Sequence, residues 1–491
     1  MTLKSKLLDG HPSIRNLTLL LLLTTFAILV QGYHPGLEDD AYYLAAIKRN
    51  LNPALFPYDS DFFRLQFQAT IFDKLISSSI RLTHLPLAWA VSLWQFASIL
   101  LILWGCWRIS RRCFSTAQAQ WAAVTMVAAL LTIPVSGTAI SLADQYLHPR
   151  TLATAAVLAA IVATLEERRL LAGILLGLAF VMHAIMAAFG ISFCIFLGWK
   201  KREAKLARAA LLLPLGWIFE PASDAWRQAA ASRAFYFLLH WHWYEWLGIF
   251  APLLLLWGFH SIARRNGSLL LARLASRLVY FGIFQTVVAL IIMLPPRLER
   301  LRPFEPMRYL HLIYLLFFLI AGGLIGQYIL GKHVYRWLLL FVPLGFGMLY
   351  AQRQMYPETE HLELPGTLPK NDWVQAFAWI QQNSPTDSLF ALDPFYMQLP
   401  GEDFHAFRAL AERSVLADYL KDAGMVARVP RLAPRWKKEV DATTGWNSFQ
   451  ASDFQRLKAS LGVNWVVLAQ PGVTGMTCPY QNRRVLVCRV E

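Results

Sequence analysis

The chain of 491 residues has no spacing typical of a zinc site, no Walker loop, no nucleophile elbow and no dinucleotide fingerprint. Its residues therefore give no support for soluble-cofactor chemistry. It also has no internal repeat and no long low-complexity run. Charge is sparse: Asp, Glu, Lys and Arg make up 16% of the residues, against 56% hydrophobic ones. With a mean hydropathy of +0.40, that balance excludes an ordinary soluble globular protein and describes a chain whose solvent is mostly lipid. Acids are outnumbered by bases and the net charge is +15, yet no basic stripe interleaved with aromatics falls in a soluble segment. Nucleic acid is excluded as a partner on that ground. Leu19 to Val30 is strongly apolar and follows Lys4, Lys6 and Arg15. No small-residue cleavage site comes after it and Glu38 soon does, so it is expected to remain as a first helix.

Apolar stretches suited to roughly 30 Å of hydrocarbon recur at about 15–33, 86–107, 121–141, 150–165, 170–184, 185–199, 209–220, 245–263, 277–295, 308–330 and 336–351. The expected fold class is thus mainly α, a polytopic bundle of about eleven spans. Threading the loops with the N-terminus inside puts Lys4, Lys6, Arg15, Arg108, Arg111, Arg112, Arg168, Arg169, the run from Lys200 to Arg208, Arg264, Arg265, Arg273, Arg277, Lys332 and Arg336 on the cytoplasmic side. Only Asp9, Glu166, Glu167 and Glu203 oppose them there, as the bias of Lys and Arg toward that side requires. The expected membrane is the cell's inner one. An odd number of spans leaves everything after about residue 351 outside.

Five cysteines are present. Cys106, Cys113 and Cys194 fall in or beside spans. Cys478 and Cys488 flank a turn in the outer tail, where an oxidising compartment suits a hairpin disulfide; two separate buried thiols are the alternative. After a linker at about 352–370, the tail from 371 to 491 reads as a small extracytoplasmic α/β domain. Helix is expected from Asp372 to about Gln382 and from Ser452 to Leu461, with strands at Ser388–Leu392, Trp465–Ala469 and Arg484–Val490. The first outer loop, about 34–85, is long enough to be structured. A helix is expected to start at Asp39 with acids in its first turn. A second, Phe62 to Leu82, sets Phe63, Phe67, Ile71, Leu75 and Ile80 near one face and Arg64, Gln68, Asp73 and Lys74 elsewhere, as in a helix lying on a membrane surface.

Three groups of residues are candidates for chemistry. Glu38, Asp39 and Asp40 follow the first span directly; acids at that depth usually face a cavity or a partner, and a carboxylate there serves as general base. The plainer reading is that they begin a surface helix. Arg297, Arg300, Arg302 and Arg308 crowd an outer loop that should be poor in arginine, and guanidinium forks bind phosphate oxygens; salt bridges to Glu299 and Glu305 are the alternative. His148, Arg150 and His183 are expected to line a site, with Arg64 as a further substrate contact. The run Trp241 to Trp246 reads as an interfacial aromatic belt.

The run Asp39-Asp40-Ala-Tyr-Tyr-Leu-Ala resembles the Asp-Glu-Ala-Tyr-Tyr variant found in many bacterial members of the GT-C superfamily of polytopic glycosyltransferases. The layout of acidic loop, membrane spans and outer α/β tail is similar too. So are Trp379-Ile-Gln-Gln-Asn-Ser-Pro-Thr-Asp-Ser-Leu-Phe and Leu461-Gly-Val-Asn-Trp-Val-Val-Leu. The resemblance implies a polyprenyl-phosphate-linked sugar donor, membrane lipid as a partner, Asp39 as catalytic base with Asp40 in place of the usual Glu, and a divalent metal left open. A non-catalytic transporter or assembly protein for lipid-linked glycans is the alternative function, and a sensor built on the outer domain a weaker one.

Overall fold

The computed structural model describes residues 13–67, 70–198 and 221–491, excluding the side chains of 65–67. Lys4, Lys6, Asp9, Gln68, the side chain of Phe67, the run from Lys200 to Arg208 and the span expected at 209–220 lie outside the described residues.

Helix α1 (Ile14–Gln31) starts on Ser13, whose hydroxyl accepts the Asn16 N–H. The first long loop then carries α2 (Tyr43–Leu51), α3 (Asp61–Phe67) and α4 (Phe72–Thr83). Next come α5 (Leu87–Cys113), α6 (Ala117–Ala129), α7 (Pro149–Leu165), α8 (Arg169–Met182) and α9 (Ala184–Gly198). Beyond residue 221 lie α10 (Asp224–Ala231), α11 (Trp243–Arg265), α12 (Leu269–Met293), α13 (Leu310–Ile325) and α14 (Val334–Met355). Among the described residues, six apolar helices are long enough to cross a membrane: α1, α5, α11, α12, the segment Pro306–Leu330 that contains α13, and α14. Helices α7, α8 and α9 are apolar but shorter. The eleven spans expected from hydropathy are therefore not reached among the described residues.

The stretch expected to span at 121–141 shows why. Helix α6 stops at Ala129, and the chain turns through β1 (Pro134–Val135) and β2 (Ile140–Ser141), an antiparallel pair. Proline has no N–H to give a helix, and irregular backbone at this depth is tolerated where it lines a cavity, as 134–141 does. Small residues bring α13 close to α6: a Cβ on Gly322 would stand 2.8 Å from the Ala122 carbonyl oxygen. That close approach is typical of helices packed in lipid.

The loop helices also differ from expectation. The acids do not open a long helix; Glu38–Ala41 is a separate 3-10 turn before α2. The second pattern is two helices, and α4 buries Phe72, Asp73, Ile76, Ser77 and Ile80 while Ile71 is exposed. The buried face is thus one residue further on, because it packs on α2, where Asn50 Nδ2 donates to Asp73 at 2.6 Å.

The tail holds α15 (Asp372–Asn383), β3 (Leu389–Ala391), α16 (Phe407–Ala411), β4 (Ser414–Val415), α17 (Asp422–Arg428), α18 (Ala433–Ala442), α19 (Ala451–Leu461), β5 (Trp465–Ala469), β6 (Thr477–Gln481) and β7 (Val485–Arg489). The sheet order is β4-β3-β5-β7-β6, parallel on the β3 side and antiparallel among β5, β7 and β6. A Cys478–Cys488 disulfide joins β6 to β7. The tail is not a separate bead: Trp373, Phe377, Phe407 and Met425 belong to the same apolar core as Ala41 to Ile47. Buried Arg408 pairs with Asp59 of the first loop and with Asp422 of the tail.

Candidate functional site

The acidic segment is held by the tail on both sides. The Tyr33 N–H donates to the His361 carbonyl at 3.0 Å, Glu38 N–H to Phe404 at 2.9 Å, and Ala406 N–H to Gly36 at 2.8 Å. Gly36 has φ +91°, and a Cβ there would meet Leu410 at 2.7 Å, so only glycine suits the turn. Glu38 itself is held at φ 51°, a left-handed conformation costing a non-glycine residue roughly 1–2 kcal/mol. Its contacts offset that cost.

The pinned segment forms one wall of a cavity of about 920 Å³ at the end of the bundle. Glu38, Asp39, Asp144, Glu245 and Glu305 line it, as do Arg150, Arg233, Arg308, Lys421 and Arg428. The two signs balance, and most of these charges are paired. Arg150 meets Asp144. Glu305 receives Arg308 at 2.6 Å and Arg428 at 3.1 Å, and Glu245 accepts the His242 N–H at 2.7 Å. The Lys421 ammonium sits between Glu38 and Asp39, 3.0 Å from Asp39 Oδ1. Arg233 makes no ion pair among the described residues; it donates to the Lys421 carbonyl at 3.2 Å.

Asp39 Oδ2 faces His148 Nε2 at 3.5 Å. Because His148 Nδ1 accepts the Arg150 backbone N–H at 2.9 Å, the ring proton resides on Nε2, toward Asp39. Burial, and then the Arg150 charge, hold His148 below the usual histidine range, so the ring is neutral. Burial alone would raise the Asp39 carboxyl, but Lys421 and then His148 hold it well below the usual carboxylate range. Asp39 is therefore ionised at neutral pH.

Asp40 is different. It is buried away from the cavity and accepts the Gly36 N–H at 2.7 Å. Burial, opposed by that hydrogen bond and reinforced by the Asp39 charge, pushes it up to about 8. It is a neutral brace for the turn. His183 lies behind the wall, its ring 6.1 Å from that of His148.

Of the loop arginines, only Arg308 lines the cavity. Arg297 is exposed; Arg302 lies over the Phe237 ring at 5.1 Å; Arg300 donates to the Pro221 carbonyl at 2.8 Å. Glu299, their supposed partner, pairs with Arg227 at 3.0 Å. Arg64 is exposed on α3 and is not in the wall. Sequence reasoning missed Arg233, Lys421 and Arg428. Trp241, from the aromatic run, also lines the cavity. Its Nε1, together with Tyr42 Oη and Arg233 Nε, is buried without a hydrogen-bond partner among the described residues. Such atoms are costly unless a ligand or water meets them.

A divalent cation does not fit these residues. The place between Glu38 and Asp39 is filled by an ammonium, and among the described residues no group of three or more His, Cys, Asp or Glu is arranged to hold a metal.

No protein-family model matches the chain, and no curated protein matches it by sequence. Among solved structures it is similar to an Archaeoglobus fulgidus oligosaccharyltransferase, crystallised in complex with zinc and sulfate. The identity is 12% and the TM-score 0.41, over 92% of this chain and 68% of that one.

Proposed function

We propose that this protein is a membrane glycosyltransferase that moves a sugar from a polyprenyl-phosphate-linked donor to an acceptor hydroxyl or amide on the outer side of the inner membrane. One observation carries this reading: an ionised carboxylate, Asp39, and unspent or half-spent guanidiniums, Arg233 and Arg308, face one cavity at the end of an apolar bundle. The acceptor O–H or N–H hydrogen-bonds to Asp39, which has lone pairs beyond those used by Lys421 and His148. As its oxygen or nitrogen bonds to the anomeric carbon, the proton passes to Asp39. The bond from that carbon to the phosphate oxygen breaks, and the electron pair leaves on the lipid phosphate, beside Arg233 and Arg308.

The orientation is part of the same proposal. The far end of the bundle gathers Arg108 and Arg112 around Glu166, at 3.0 and 2.5 Å, as a cytoplasmic end should. The disulfide suits the opposite compartment.

The test is transfer by the purified protein from polyprenyl-phosphate sugars. Asp39→Asn is expected to slow it by about 10² to 10⁴, and Arg308→Ala and Arg233→Ala to weaken donor binding. Arg297→Ala leaves both unchanged. Full activity in Asp39→Asn would overturn the assignment of the base. Donor binding with no turnover in the wild type, under any condition, would favour the carrier reading.

A further inference from the structure

We propose that Lys421 is the resident cation of this site: its ammonium occupies the position between Glu38 and Asp39 that a divalent metal would take, so the site works without one. The inference rests on the glycosyl-transfer reading for its purpose but not for its test.

Lys421 is not a surface lysine that happens to reach an acid. Its side chain is 5% exposed, and both carboxylates meet the same Nζ. Its backbone is fixed where α17 begins: Asp418 accepts the N–H groups of Lys421 and of Asp422, the latter at 3.0 Å. Arg408 then holds Asp422 through two parallel hydrogen bonds of 2.8 Å and reaches across to Asp59 of the first loop. The charge is thus delivered by a braced stem to a fixed point. Every other carboxylate in the cavity wall is engaged too. Asp144 is held by Arg150, Glu305 by Arg308 and Arg428, and Glu245 by the start of its own helix. A metal ion would need at least two oxygens released from cationic partners, in a wall that already holds five bases.

Lysine offers one charge and three N–H donors. It keeps Asp39 ionised and oriented, as a metal would, yet adds no open coordination position for water or phosphate.

The experiment is Mn²⁺ titration, followed by electron paramagnetic resonance, of the full-length protein stripped with EDTA. The wild type is expected to bind no Mn²⁺ tighter than about 1 mM, and its transfer rate to be the same with and without EDTA. Lys421→Ala opens the pair and is expected to gain a Mn²⁺ site that disappears when Glu38→Gln is added. Mn²⁺ bound tightly by the wild type and lost in Asp39→Asn overturns the proposal. So does a transfer rate abolished by EDTA and restored by Mn²⁺, or a folded Lys421→Ala that gains no site. Should Lys421→Ala fail to fold, the two wild-type measurements decide. Should no donor turn over, the glycosyl-transfer reading fails while the titration still decides this one.

Discussion

Replacing Asp40 by asparagine separates two adjacent aspartates that look equivalent in sequence. Asp40 is 2% exposed, and its carboxyl is pushed from 3.8 up to about 8, first by burial and then by the Asp39 charge, against the Gly36 hydrogen bond. The sign follows from proton counting. Above about pH 4 the unfolded chain gives up this proton, whereas the folded protein keeps it to about pH 8, so stability falls as pH rises across that window and is flat beyond it. At pH 7 the interval is about three pH units, which at about 1.36 kcal/mol each amounts to roughly 4 kcal/mol. Asparagine stays neutral, and its amide oxygen still accepts the Gly36 N–H. The variant is therefore expected to match the wild type near pH 4 and to exceed it in thermal midpoint by a gap that widens to about pH 8. Intrinsic fluorescence of the 18 tryptophans in detergent follows the transition. Transfer activity is expected to persist, in contrast to Asp39→Asn. A gap that does not change with pH, or a variant less stable than the wild type at pH 8, would refute the reasoning.

Arg408→Met strips a buried cation from Asp59 and Asp422, both fully buried. Breaking such a network is expected to cost about 3–5 kcal/mol, measured as a lower thermal midpoint, with earlier proteolysis at the contact between first loop and tail. Gly424→Ala places a methyl 2.4 Å from Arg233 Nη2. Because the guanidinium is the end of a flexible side chain, the fold is expected to hold while donor affinity falls about tenfold, near 1.4 kcal/mol; a midpoint lowered as much as the affinity would point to misfolding instead.

Local patterns carried the reading of the tail far. The helix at Asp372–Asn383 and the strands at Trp465–Ala469 and Val485–Arg489 lie where alternation and turn residues suggest. Hydropathy located the long helices for the same reason, since both are properties of a few consecutive residues. It failed at 121–141, where apolar side chains continue although the backbone leaves the helix to line the cavity. The face of α4 slipped by one residue because packing on α2, not the local period, decides which side is covered. In the site, Asp39 and Arg308 stood out by an unusual charge beside a span. Lys421 and Arg428 stood in an ordinary run of the tail. Nothing local marks a lysine whose partners are 382 and 383 residues earlier.

That separation has a consequence for biosynthesis. At roughly 5 to 20 residues per second, about 20 to 80 s pass between the ribosome's emission of Glu38 and Asp39 and that of their counter-charge. Throughout that interval the acidic turn lacks its lysine partner. The cavity wall is thus complete only once the last quarter of the chain, which supplies Phe404, Leu420, Lys421, Gly424, Met425 and Arg428, has been made.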